Sequence, residues 1–200
     1  MSTKGEDTRS NVLGTALSLA TQVGLEGVTI GKLADTVGMS KSGLFAHFSS
    51  KENLQVAILE EAIARFVSIV VAPALKKSRG EPRLRALVNG WLDWSKAEFM
   101  PGGCIFVVAQ VELDDRPGPA RDRLVSSQRD WLATLAQAAR IGIEEKQFRK
   151  DLDVEQMAHE IFSVAYGYHF LRRIIEPAEA ERRARTAFDR LIENARAKAR

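Results

Sequence analysis

Residues 29–51 read TIGKLADTVGMSKSGLFAHFSSK, two short helical patterns joined at a glycine. Thr29 suits an N-cap, Leu33, Ala34 and Val37 fall on one helical face, and Gly38 supplies the left-handed corner that stops the first helix. Ser40 caps the second, in which Leu44 and Phe48, four apart, face inward. Two short helices closed on each other about such a corner form a helix-turn-helix, whose second helix can lie in a DNA major groove.

The outward residues suit that surface. Lys41, Ser42, Gly43, Phe45 and His47 fall at or near the exposed face and its N-terminal end. A helix N-terminus with free N–H groups attracts phosphate, and Lys41 adds a cation beside it. Ser42 and Gly43 leave the approach open, Phe45 offers apolar contact to a thymine methyl, and His47 can donate to a phosphate or a base edge. Lys51, opening the next helix, is placed to hold the DNA backbone. With Lys32 and the caps Thr29 and Ser40 they make up the candidate DNA-binding set.

From about Thr8 to Leu59 the order of elements resembles the tetracycline-repressor (TetR-like) family of bacterial transcription regulators. An amphipathic segment, TRSNVLGTALSLATQVG, precedes LEGVTIGKLADTVGMSKSGLFAHFSSKENLQVAIL, which is similar to the family's first helix, two-helix reader and the start of a long fourth helix. Phe45 stands where that family commonly has Tyr, removing a hydroxyl that reaches phosphate, and Gly31 replaces a longer polar residue. The resemblance implies an all-α protein: a helix-turn-helix DNA-binding domain over residues 1–50, then a larger helical domain over residues 51–200 for ligand binding and dimerisation. It implies a double-stranded DNA operator and an unidentified small-molecule effector as partners.

Composition narrows the class. In 200 residues, 45% of them hydrophobic, there is no 18-residue apolar run and no signal peptide, so a soluble, cytoplasmic protein without membrane attachment is expected. One cysteine and three scattered histidines, His47, His159 and His169, offer no disulfide framework and no metal spacing; no cofactor is expected. The net charge of +3 does not come from the reader. Residues 1–51 carry five cations (Lys4, Arg9, Lys32, Lys41, Lys51) against four acids (Glu6, Asp7, Glu26, Asp35). Residues 179–200 carry seven (Arg182, Arg183, Arg185, Arg190, Arg196, Lys198, Arg200) against four (Glu179, Glu181, Asp189, Glu193), which reads as the solvated face of a last helix.

Past the reader, helical periodicity is cut by Pro73, Gly80 with Pro82, Pro101 with Gly102 and Gly103, Pro117 with Pro119, Gly142, Asp151 to Asp153, and Pro177. The limits predict helices over 50–77, 81–99, 103–114, 119–141, 154–175 and 178–199. The helix over 154–175 carries two seams: Met157, Ile161, Val164, Tyr168, Leu171 and Ile175, and beside them Ala158, Phe162, Ala165 and His169. The final helix carries Ala184, Phe188, Leu191 and Ala195. These stripes predict that the last two helices pair with their copies as a four-helix bundle, giving a homodimer.

The family's second domain holds a small-molecule cavity, and by topology the residues that would line it here are Trp91, Ser95, Cys104, Val108, Trp131, Leu135 and Tyr166. Glu98, Gln110 and Glu112 would supply polar anchors. Cys104, after Pro-Gly-Gly and at a helix start, is open to two readings: a redox-sensing thiol with a lowered pKa, or a small buried apolar residue in the run Ile105–Val108. The function expected is a sequence-specific DNA-binding regulator, a homodimeric repressor released from a palindromic operator by its effector. Alternatives are an activator, an effector-independent DNA-binding protein, or a helical thiol enzyme on Cys104 with His159 or His169 as base. The last lacks a nucleophile elbow, phosphate loop or HExxH motif, so no catalytic residue is assigned.

Overall fold

The computed structural model describes residues 4–175 and 177–197. Lys198 and Arg200 of the basic tail, and the predicted end of the last helix at Ala199, lie outside the described residues. The order is α1 (Lys4–Gly27), α2 (Ile30–Val37), α3 (Lys41–Phe48), α4 (Lys51–Phe66, running on through a wide π turn, Val67–Val71, to Ala72–Leu75), α5 (Glu81–Trp94), α6 (Ile105–Leu113), α7 (Pro119–Glu144), α8 (Val154–Phe170, ending in a second π turn, Leu171–Ile175) and α9 (Pro177–Ala195). The architecture is all-α. Among the described residues the β pairing is confined to one bridge, Phe148 with Arg196.

Punctuation sets these limits. Pro73 has no N–H and its ring crowds the carbonyl four residues back, and the chain widens just before it: the Ala72 N–H donates to the Val67 carbonyl, five residues away. Helix α5 ends at Trp94 rather than at Phe99, and at its end the buried Ser95 hydroxyl donates to the Leu92 carbonyl at 2.8 Å. Helix α8 starts at Asp153, whose carboxylate accepts from the Glu155 and Gln156 N–H groups at 3.1 and 3.0 Å.

The chain forms two compact units. The first joins residues 1–65 to residues 96–126, so α6 belongs with the reader. Its core takes Val12, Leu13, Ala16, Leu17 and Ala20 from α1, and α2 and α3 add Leu33, Ala34, Leu44 and Phe48, all buried. The second unit joins residues 66–95 to 127–200. There Phe66 stands edge-on to Trp94 and Trp131 at centroid separations of 5.3 and 5.0 Å, and Trp91 edge-on to Tyr168 at 6.2 Å. Most of the aromatic supply is therefore core. At the chain's end the bridge around Phe148 and the pairing of Arg196 with Glu81, at 2.6 Å, fasten α9 to the start of α5.

Candidate nucleic-acid interface

Helix α2 is closed at both ends by its own sequence. The Thr29 hydroxyl accepts from the Lys32 N–H at 3.1 Å, and Gly38 adopts φ 68°, ψ 28°, so that the Met39 N–H reaches the Ala34 carbonyl at 3.0 Å. Ser40 then opens α3, its hydroxyl accepting from the Gly43 N–H at 3.1 Å. A Cβ on residue 43 would sit 3.0 Å from that hydroxyl oxygen, so Gly43 protects the cap as well as the approach.

With Leu44 and Phe48 fixed inward, α3 presents Lys41, Ser42, Phe45 and Ala46 outward. Phe45 is 53% exposed, a large apolar ring held in solvent at the middle of the helix. Lys41 crosses the neighbouring α2: its side chain passes over Gly31, where an added Cβ would be 3.5 Å from Cε, so the missing side chain at 31 leaves a seat for this cation. Lys32 is exposed beside it, and His47 is half-buried at the edge of the strip. Lys51, expected to hold the DNA backbone, has its exposed ammonium donating to Glu26 Oε2 at 2.8 Å. That bond, with another from Gln55 at 2.7 Å, holds the Glu26 carboxyl below the usual carboxylate range against the opposing effect of burial.

Two contacts of this unit were not anticipated. The Arg9 guanidinium lies 5.5 Å over the Phe48 ring, tying α1 to the end of α3. Glu112, read from sequence as a ligand anchor, has its carboxylate on the backbone of α1 instead, where Oε2 accepts from the Leu25 N–H at 2.6 Å and from the Glu26 N–H at 3.4 Å. No local signal marks a contact across 87 residues. Glu98 is exposed and Gln110 half-buried.

The proposed ligand set is divided. In the second unit a cavity with room for roughly one water, about 20 Å³, is walled by Trp91, Trp131, Val88, Leu92, Ile161 and Phe188, among others, and is almost wholly apolar. Trp91 and Trp131 are in its wall. Leu135 is buried elsewhere in that unit, Ser95 is buried with its carbonyl accepting from Arg172 at 3.2 Å, and Tyr166 is stacked on Phe162 at 4.4 Å. Cys104 and Val108 belong to the first unit. Cys104 is fully buried at the N-cap of α6, the surroundings of the small apolar reading. Among the described residues no three of His, Cys, Asp and Glu gather as a metal set, and no helix is long and apolar enough to cross a membrane.

Residues 12–58 match the model for bacterial regulatory proteins of the tetR family, and residues 80–188 match the tetracyclin repressor-like C-terminal domain. The chain belongs to the TetR family. It is thus a DNA-binding transcriptional regulator, and helices α2 and α3 are its TetR-type reader. One relative is the HTH-type transcriptional repressor AcnR of Corynebacterium glutamicum, 34% identical over 184 residues that cover 89% of this chain and 87% of the relative. Among solved structures, a TetR regulator from Chloroflexus aurantiacus shares the fold with a TM-score of 0.86 at 24% identity, over 98% of this chain and 99% of that one. AibR, solved with isovaleryl coenzyme A and operator DNA, shares it with a TM-score of 0.72 at 19% identity, over 94% and 99%.

Proposed function

We propose that the protein is a homodimeric repressor that sets two copies of α3 into successive major grooves of a palindromic operator and leaves it when a small molecule binds the second unit. One observation carries the reading: α3, rigidly capped by Ser40, holds Lys41, Ser42, Phe45 and Ala46 clear of the fold in a TetR-type reader. In this reading Phe45 contacts a base edge, Lys41, Lys32, Ser42 and Thr29 hold phosphates, and His47 lies at the margin. Lys51 acts at the operator through Glu26, by fixing the start of α4 against the reader.

Dimerisation is supported by α8. Phe162, Tyr166, Phe170 and Ile174 recur every four residues along one face; the first two are half-buried, while Phe170 is 56% and Ile174 67% exposed. An apolar stripe that long fits a two-fold neighbour. In this reading the final helix offers a partner fewer residues than its stripe of Ala184, Phe188, Leu191 and Ala195. Ala184, Phe188 and Ala195 are buried in the chain's own second unit, Phe188 beneath the Arg85 guanidinium at 5.7 Å, which leaves Ala187 and Leu191 for a partner.

Repression is supported by the likeness to the transcriptional repressor AcnR, and effector control by the likeness in fold to AibR, solved in complex with isovaleryl coenzyme A and operator DNA. Here the apolar wall around Trp91 and Trp131 favours an uncharged, apolar effector group, and the small free volume requires that wall to move on binding. The test is selection of genomic fragments, the protein's own promoter included, followed by anisotropy on the enriched sites at fixed salt. Enrichment of a palindrome bound by a dimer is the expected result. Binding of all duplexes alike, with a steep salt slope, would show an architectural protein instead.

A further inference from the structure

The long first helix is broken near its end, and the break is held from α6. Gly24 leaves the helical region at φ 77°, ψ 166°, and the chain resumes a helical turn at Leu25. The two N–H groups that this restart exposes, those of Leu25 and Glu26, both point at Glu112 Oε2, at 2.6 and 3.4 Å. A carboxylate there does for the restarted turn what an Asp N-cap does for a whole helix, except that it comes from a residue 87 positions away. Gly24 is doubly required, by its positive φ and because a Cβ would collide with the Glu112 carboxylate.

Four further contacts converge on the same place. The Gly102 N–H donates to the Thr21 hydroxyl at 3.0 Å, and a Cβ on Gly102 would collide with the Thr21 carbonyl, so the Pro-Gly-Gly loop lies directly on α1 one turn before the break. Just after the break, Glu26 gathers Lys51 at 2.8 Å and Gln55 at 2.7 Å from α4, and Arg116 at 3.5 Å from beyond α6. Buried Leu25 and Val28 follow, and then the Thr29 cap of the reader. The direction in which the chain enters α2 is therefore set where residues 101–116 grip α1.

We infer that Glu112 is a positioning residue for operator binding: its carboxylate fixes the break at Gly24 and so sets the placement of α2 and α3, making segment 96–126 the handle on the reader. The inference deepens the operator-binding function proposed above and rests on it.

The test compares Glu112→Ala with Glu112→Gln, whose amide oxygen still accepts the Leu25 N–H. In the intact protein on the selected operator, Glu112→Ala is expected to weaken binding at least tenfold without changing the slope of log Kd against log salt, since no phosphate contact is removed; Glu112→Gln should retain most of the affinity. Gly24→Ala should be less harmful in the Glu112→Ala background than in the wild type, because the collision with the carboxylate is gone while the strain at φ 77° remains. A purely structural role would show the rescue and this coupling in the melting curve alone and leave the operator affinity of the folded variants at the wild-type value. Amide exchange in the DNA-free protein gives a second readout: Glu112→Ala should hasten exchange through residues 25–48 and leave residues 127–195 unchanged. Wild-type operator affinity in Glu112→Ala, equal loss in both variants, or unchanged exchange at residues 25–48 each overturns the inference. Failure of the wild-type protein to select any operator counts instead against the function proposed above, and the exchange result still decides the role of Glu112.

Discussion

Phe45 and Lys41 sit on the same exposed strip and do different physical work. In the proposed reading the Phe45 ring, 53% exposed, would gain only where it met an apolar base edge, so its contribution would depend on sequence, whereas the Lys41 cation would meet a phosphate at any sequence. Phe45→Ala is expected to reduce discrimination between the operator and a scrambled duplex by about 1–3 kcal/mol while leaving scrambled-duplex affinity nearly unchanged, read by competitive anisotropy. Lys41→Ala should weaken both duplexes together and lower the salt slope by about 1. His169 makes a different kind of prediction. Burial, reinforced by Arg173 and Arg172, lowers its pKa to about 4, so the folded state favours neutral imidazole. The unfolded chain binds that proton near pH 6.5, so the stabilisation is complete above pH 6.5 and is lost as pH falls towards 4, a change on the order of 2 kcal/mol. Denaturant melts at pH 7 and pH 4.5 should show His169→Phe with a flatter acid dependence than the wild type. The outward set on α3 was legible because caps and helical phase are local. The roles of Glu112, Glu26 and Arg9 were not, since each depends on a partner distant in sequence or on the opposite side of a turn.

Helix limits were the most readable part of the chain, and the reason is chemical. Proline, glycine and capping residues act on their own backbone, so Thr29, Ser40, Gly38, Pro119 and Asp153 end or begin helices where their side chains or φ angles demand it. Failures came where the local pattern did not decide a helix end. Periodicity runs past Ser95 to Phe99 although α5 ends at Trp94, and α1 is extended beyond Gly24 by a cap that α6 provides. Gly38 allows the turn itself to be weighed. Its φ of 68° is left-handed, and nothing lies within 4 Å of the position a Cβ would take, so substitution there brings backbone strain alone. Gly38→Ala is expected to cost about 1–2 kcal/mol and Gly38→Asn markedly less, because Asn tolerates this region. Chemical denaturation of the two variants checks it, and equal losses would mean the turn relaxes in another way.

The grouping of residues 96–126 with the reader leaves no trace in composition or periodicity, because it arises from α6 packing along α1 and from the contacts of Thr21, Gly24 and Glu26. Similarly, the two seams read from the pattern of α8 placed Met157, Ala158, Ile161, Tyr168 and His169 on faces offered to a partner, yet these are buried in the chain's own second unit, and the exposed Phe170 and Ile174 belonged to neither seam. Ala184, Phe188 and Ala195 are consumed internally, while Phe170, Ile174 and Ile175, at 56%, 67% and 60% exposure, are not. That asymmetry gives the molecular-scale prediction. A charge at the centre of the α8 stripe would have to be buried unpaired, and doubly so across a two-fold axis, whereas in a monomer it would remain in water. Phe170→Glu is expected to yield a folded monomer by light scattering, with the melting curve no longer dependent on protein concentration and operator affinity reduced by a factor of 100 or more, as one half-site replaces two. Asp189→Ala, on the solvated side of α9 where its carboxylate meets Arg85 at 2.6 Å, should leave the dimer intact. If Phe170→Glu remained dimeric with full affinity, the two-fold contact would have to lie on another face, and Val67 and Ile69, at 47% and 46% exposure, would be the next residues to charge.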